Sequence, residues 1–174
     1  MTARVNAIDV FARIYDLPPL LRNRAMSLGI PRVIPIASGL RINVRHVDGE
    51  RSASSMPFTR RSRNHVGSIY LGALLVHAEV TMATLAIGAC RPPAFRVLVK
   101  KNEAEFHAKA SGTVIARCDP SADERTALDR CRTLVDDRAD AWLTVRTTLE
   151  KSGDPICTVR FLITINHKTR KASR

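Results

Sequence analysis

Residues 66–90 form the one long apolar stretch of this chain, and a single acid, Glu79, sits in its middle. The stretch is long enough to suggest a membrane span. His77 and Glu79 at its centre, with glycines at Gly67, Gly72 and Gly88, argue against that. A core helix of about five turns, wrapped by other elements, is the reading that remains. A helix apolar on most faces needs cover on most sides, so the rest of the chain must supply a surface that curves around it. Glu79, among Leu74, Leu75, Val76, Ala78, Val80 and Met82, is expected to lose part of its hydration. Burying a charge is costly unless it is paired, so this residue calls for a partner or a task.

The flanking sequence offers that cover. Ile8, Phe11, Ile14 and Tyr15 have helical spacing over Ala7–Tyr15, ending at Leu17-Pro18-Pro19. A second helix is predicted over Leu20–Leu28, stopped by Gly29 before Pro31. Residues 33–47 read as a strand, Asp48-Gly49 as a turn, and Ser52–Phe58 as a second extended run. Beyond Arg91-Pro92-Pro93, strands are predicted over Phe95–Val99, Glu103–Lys109, Thr113–Cys118, Ala141–Leu149 and Ile156–Asn166, with a turn at Ser152-Gly153-Asp154-Pro155. An amphipathic helix interrupts them between Pro120 and Asp137, capped by Ser121 and apolar at Leu128, Cys131, Leu134 and Val135. The expected fold class is α+β, a long central helix wrapped by a curved antiparallel sheet, with extra N-terminal helices.

A length of 174 residues suits one domain. Its expected parts are an N-terminal helical extension (1–32), a core (33–168) and a basic tail (169–174). The net charge of +12 favours polyanionic partners: nucleic acid, anionic membrane, or a phosphate-bearing small molecule such as coenzyme A. Aromatic residues are only 5% and do not interleave the basic runs, which weighs against nucleic acid. Cys90, Cys118, Cys131 and Cys157 are far apart and no secretory signal is seen, so a reducing cytoplasm is expected. No His, Asp and Glu set stands at ligand spacing, so no metal is expected.

The approach to the long helix carries the chemistry. Asn64 and Gly67 lie in a short loop, and Gly72 stands at the first turn of the helix. First-turn amide hydrogens have no partners inside a helix, and with the helix dipole they suit a carbonyl oxygen that gains negative charge. Glu79 could serve as general base on a water, or as nucleophile on the carbonyl. Asn64 could orient water or hold the carbonyl. Together these groups describe acyl transfer to water. His65, beside Asn64, could face the same pocket. His77 points about 200° around the helix from Glu79 and cannot share its face.

The run from Asn64 to Met82, with its helix-then-sheet setting, resembles the hot-dog fold acyl-CoA thioesterases of the phenylacetate-pathway type. That family has Asn, a Gly three residues on, then His-Gly-Gly, and an acid nine residues after the His. Asn64, Gly67, Gly72 and Glu79 match. Tyr70 stands in place of the His and Leu71 in place of the first Gly, which places the chain closer to a branch lacking His-Gly-Gly. The resemblance covers roughly residues 33–168. It implies a homodimer, of a kind that often but not always assembles into tetramers, with active sites between subunits: the Asn loop from one chain and the acid from the other. It implies no cofactor, with an acyl-CoA or acyl-carrier-protein thioester as substrate. Leu71 and Gly72 would supply main-chain donors, and Tyr70 would take over the role of the His or leave it unfilled. Arg60, Arg61, Arg63 and Lys168 are the candidates for coenzyme A phosphates. Two other readings stay open: a non-catalytic hot-dog protein that binds acyl-CoA or fatty acid, and a basic scaffold for nucleic acid or membrane.

Overall fold

The computed structural model describes residues 13–90, 95–133 and 139–167. The expected first helix therefore lies outside the described residues except for its last three positions, and Lys168 and the basic tail lie wholly outside them. Helix α1 spans Pro19–Val33 and begins on a proline, whose fixed φ suits a first turn. It does not stop at Leu28. It continues through Gly29 and Pro31, and a short helix α2, Pro35–Ser38, follows. The strand expected over 33–47 is thus confined to β1, Asn43–Val47. Packing explains the difference: Met26 and Ile30, one turn apart, are both buried and hold the turn that Gly29 and Pro31 weaken. The Ile34 amide then closes the helix by donating to the Ile30 carbonyl at 2.8 Å.

β2, Ser52–Met56, returns antiparallel to β1 through the Asp48-Gly49 turn, where Asp48 Oδ1 accepts the amides of Glu50 and Arg51. The long helix is α3, Leu71–Cys90. β3 runs unbroken over Phe95–Phe106, where two strands were expected, and a bulge between Val99 and Lys101 shifts the side-chain phase that had suggested a gap. β4 is Val114–Cys118, α4 is Ala122–Thr133, β5 is Ala139–Leu149 and β6 is Pro155–His167. All neighbours in the sheet are antiparallel, in the order β1-β2-β4-β5-β6-β3.

α3 lies against this curved sheet. Met82, Leu85 and Ala86 on the helix, and Met56, Val114, Leu143, Val145, Val159 and Ile163 on the strands, are wholly or almost wholly buried in one core. α3 is long and apolar enough to cross a bilayer by composition, yet 72% of that stretch is buried inside the fold. One stripe of the helix escapes the sheet. Gly72, Leu75, Val76, Ala83 and Ile87 are half-buried and Glu79 is exposed, all within about 120° of helix circumference.

The two sheet edges differ. Beside β1, α1 satisfies main-chain groups of the edge strand with side chains: Arg22 Nη1 donates to the Val47 carbonyl (2.9 Å), Asn23 Nδ2 to the Arg45 carbonyl (2.8 Å), and the Val44 amide donates to Ser27 Oγ (2.9 Å). Beside β3, no further strand follows in the sheet. Leu98, Val99 and Phe106 are exposed there.

Candidate functional site

The loop before α3 is built around Asn64. Its amide donates to the Ser68 carbonyl (2.7 Å), while Oδ1 accepts the amides of Val66 (3.1 Å) and Ser68 (2.9 Å). Gly67 turns the chain inside this loop with φ +69°, a conformation L side chains resist. The Asn64 carbonyl and side-chain oxygens are therefore occupied by the loop. Its Nδ2 donors have no partner among the described residues. Ile69 donates to the Ala110 carbonyl (2.8 Å) and Ser68 Oγ to the same oxygen (3.2 Å), fixing the loop to the segment after β3.

The loop then delivers the helix start. Tyr70 donates its amide to the Ser62 carbonyl, and its own carbonyl accepts from Ala73 (2.9 Å) and Leu74 (3.2 Å). The amides of Leu71 and Gly72 have no acceptor among the described residues, as expected for a first turn. Between loop, helix start and β3 lies a cleft of about 290 Å³, lined by Asn64, His65, Ser68, Ile69, Tyr70, Leu71, Leu74, Phe106, Ala108 and Ala110. It opens at the uncovered edge of the sheet.

Of the residues singled out in the sequence, Asn64, His65, Tyr70 and Leu71 meet at this cleft. Gly72 lies just behind it: a Cβ there would stand 2.7 Å from Tyr70 Cε1, so the tyrosine ring rests where a side chain would otherwise project. Gly67 shapes the loop without lining the cleft. Arg60, Arg61 and Arg63 are exposed on the approach, and none pairs with a carboxylate among the described residues. Glu79 does not reach the cleft of its own chain. It is eight residues beyond Leu71, about 12 Å along the helix, and it is exposed rather than desolvated. Leu74, Ala78, Val80 and Met82 are buried in the fold, whereas Leu75 and Val76 share with Glu79 the stripe the sheet leaves open. Ser68, Ile69, Leu74, Phe106, Ala108 and Ala110 were not anticipated. Ser68, Ile69 and Leu74 come from the loop and α3, whereas Phe106 is placed by the pairing of β3 with β6 and Ala108 and Ala110 by main-chain bonds with Ile156 and Ile69, which no local motif announces.

Two other arrangements fit chemistry less well. Ser54 Oγ lies 2.8 Å from His77 Nε2, a serine–histidine pair, with both residues buried. Thr81 Oγ1 gives its proton to the His77 carbonyl (2.8 Å), so Ser54, 2.6 Å from Thr81 Oγ1, must donate there and accept from His77 Nε2–H. The histidine is then a donor to the serine, not its base, and Nδ1 is left as a buried lone pair without a partner. Burial holds His77 down at about 4, so it is neutral near pH 7. The second arrangement is a hollow of about 460 Å³ between α4 and the outer face of β5 and β6. Its Glu124 is bound by the Ser121 amide and Thr144 Oγ1, and Arg160 lies over the Trp142 ring at 4.8 Å. Burial raises the thiols of Cys118 and Cys157, which removes them as nucleophiles. Among the described residues no group of three His, Cys, Asp or Glu could hold a metal ion.

Comparison with solved structures bears on the fold. The probable thioesterase PA5026 of Pseudomonas aeruginosa, a protein of unknown function, is 21% identical, with 86% of this chain and 97% of that chain covered at a TM-score of 0.68. The thioesterase HI1161 of Haemophilus influenzae is 14% identical over 90% of this chain and 95% of that one, at a TM-score of 0.66. A mutant of the thioesterase PA1618 of Pseudomonas aeruginosa is 15% identical over 83% and 94%, also at 0.66. At these identities the likeness establishes the fold, and it is the hot-dog fold. No curated relative matches the sequence. Residues 22–165 match a family described as a domain of unknown function, DUF4442.

Proposed function

The chain belongs to the DUF4442 family, a domain of unknown function, and from that premise and the cleft at the start of α3 we propose that it hydrolyses thioesters of coenzyme A or an acyl carrier protein. The observation that carries the reading is the pair of unpartnered first-turn amides, Leu71 and Gly72, beside an apolar cleft that also holds Asn64. Such donors stabilise an oxygen that becomes negative, and they act from a rigid helix end.

The reaction follows from these groups. A thioester carbonyl in the cleft directs its oxygen at the Leu71 and Gly72 amides, while Asn64 Nδ2 orients the attacking water. Glu79 takes the water proton as the oxygen adds to the carbonyl carbon, or adds to that carbon itself and is released by water afterwards. The tetrahedral oxyanion collapses, the C–S bond breaks, and the thiolate leaves and is protonated. Tyr70, where relatives of the phenylacetate type have His, presents a half-exposed ring and hydroxyl to the bound acyl group. Arg60, Arg61 and Arg63 lie on the approach, suited to phosphates of coenzyme A. No cofactor is required.

Glu79 can take part only if a second chain brings it. A homodimer joined along β3, and tetramers built from such dimers, would set the open stripe of one α3 beside the cleft of the other subunit. The activity belongs, on this reading, to a reducing cytoplasm; hydrolysis of a panel of acyl-CoAs by the purified protein, monitored by free thiol release, is the direct test. Asn64→Ala and Glu79→Ala should each be inactive alone. Mixed and refolded together, they should regain about a quarter of wild-type activity, because half of the randomly paired dimers then carry one intact site. Full activity of Glu79→Ala alone would rule out Glu79 as the acid. A protein that purifies with bound acyl ligand and releases no thiol would instead be a binding protein, with Tyr70 marking lost catalysis.

A further inference from the structure

We propose that the outward face of α1 and α2 docks the protein onto an anionic lipid surface. On α1, Met26 and Ile30 point into the core. The opposite face carries Leu20, Leu21 and Leu28, which are 82%, 57% and 62% exposed. Arg24 and Arg32 are exposed on that same face. Ile36 (66%) is exposed on α2, which follows directly; Val33 (45%), at the end of α1, lies about 140° around the helix from Leu28. Four large aliphatic side chains standing in water on neighbouring elements, Leu20, Leu21, Leu28 and Ile36, call for a partner.

Charge identifies the partner as an anionic one. From Leu17 to Val47 the chain has five arginines and no acid. Arg61 lies against Gly39, where a Cβ would be 3.9 Å from its Cδ, so the Arg60–Arg63 loop adjoins the end of α2. Among the described residues, Arg24, Arg32, Arg60, Arg61 and Arg63 have no carboxylate partner. Shape separates a bilayer from an acidic protein. A partner helix is held in an apolar groove. Here the leucines project singly from a convex helix, and none lines a cleft described above. Projecting aliphatics surrounded by guanidinium groups suit the headgroup boundary, where side chains enter the acyl region and cations meet phosphate. The patch ends beside the loop that leads to the cleft, so a protein lying on it would keep its site close to the lipid. The docking itself does not depend on thioester hydrolysis.

The test is co-sedimentation of the full chain with vesicles of phosphatidylcholine alone or with added phosphatidylglycerol, at low and high salt. Wild type should sediment with the anionic vesicles and less so as salt rises. Leu20→Ser with Leu28→Ser should weaken binding about tenfold without changing the thermal melt, since both side chains are exposed. A Leu28→Trp probe should shift to the blue on binding and be quenched by brominated acyl chains. Several results would overturn the proposal. Wild type could stay in the supernatant at low salt. The leucine variants could bind as well as wild type, which would mean adsorption by net charge alone. The same variants could lower the sedimented mass of the free protein, or abolish binding to an acidic carrier protein while vesicles go unbound. Those last outcomes would assign the face to a second copy or to a protein partner. Thiol release from soluble acyl-CoA reads the hydrolase separately and should be unchanged in the leucine variants.

Discussion

A buried histidine with one unsatisfied nitrogen makes stability depend on pH in a defined direction. His77 is held at about 4 by burial, against an ordinary value of 6.5. Its folded value lies below its unfolded value, so between these limits the unfolded chain binds the extra proton. The stability from neutral His77 is complete above pH 6.5 and is lost as pH falls toward 4, a loss on the order of 3 kcal/mol. Urea melts across that range should show it, and His77→Gln should flatten it. Gly72 makes a second residue-scale point. A methyl group there meets the Tyr70 ring at 2.7 Å, and because that ring is 55% exposed it can swing outward. Gly72→Ala should therefore cost less than about 1 kcal/mol of stability, alanine being the better helix former. It should raise KM for acyl-CoA in parallel with Tyr70→Ala, with Tyr70→Phe close to wild type if the ring rather than the hydroxyl matters. The divergence of His77 and Glu79 around the helix was readable from their spacing. The exposure of Glu79 was not, because apolar neighbours in sequence say nothing about which stripe the sheet will cover.

α1 has a task that its own sequence hides. An uncovered edge strand invites pairing with other chains, and α1 prevents this at β1 by lending side-chain donors and acceptors to the strand backbone. Ser27 is central: its Oγ accepts the Val44 amide, and its one proton is within reach of both the Asn23 carbonyl and Asn43 Oδ1, each at 2.8 Å. Ser27→Ala removes these contacts and leaves a partly buried amide unpaired, so a loss of about 1 to 2 kcal/mol is expected in denaturant melts. Asn23→Ala should add to it through the Arg45 carbonyl. The helix itself was legible from Leu20 onward, but its end was misplaced because Gly29 and Pro31 are local stop signals that buried Met26 and Ile30 override. β3 was read as two strands for a related reason. Alternation is a local measure, and the bulge near Lys100 resets it without breaking the pairing with β6. α3 and the hairpin turn at Gly153, φ +76°, were legible because a long apolar run and a glycine turn need no distant partner to declare themselves.

At the scale of the molecule, the two ends of the sheet and the open stripe of α3 bear on one question. The β1 edge is occupied by α1, which leaves β3 as the end where the sheet can continue, and Leu98, Val99 and Phe106 are exposed along it. Phe106 also lines the cleft, so a chain that adds to this edge would close the cleft as it pairs. The sequence bears on assembly only through resemblance, since no motif within one chain records what its edge strand meets. Sedimentation equilibrium should find a dimer. Leu98→Glu with Phe106→Glu places like charges on facing strands across a two-fold axis and should yield a monomer with unchanged far-UV dichroism, because neither side chain belongs to the buried core. Hydrolysis should disappear with the dimer, and at limiting protein concentration the wild type should lose activity in step with its dissociation. A monomer that keeps full activity would mean that one chain completes its own site, and the acid would then have to be sought elsewhere than at Glu79.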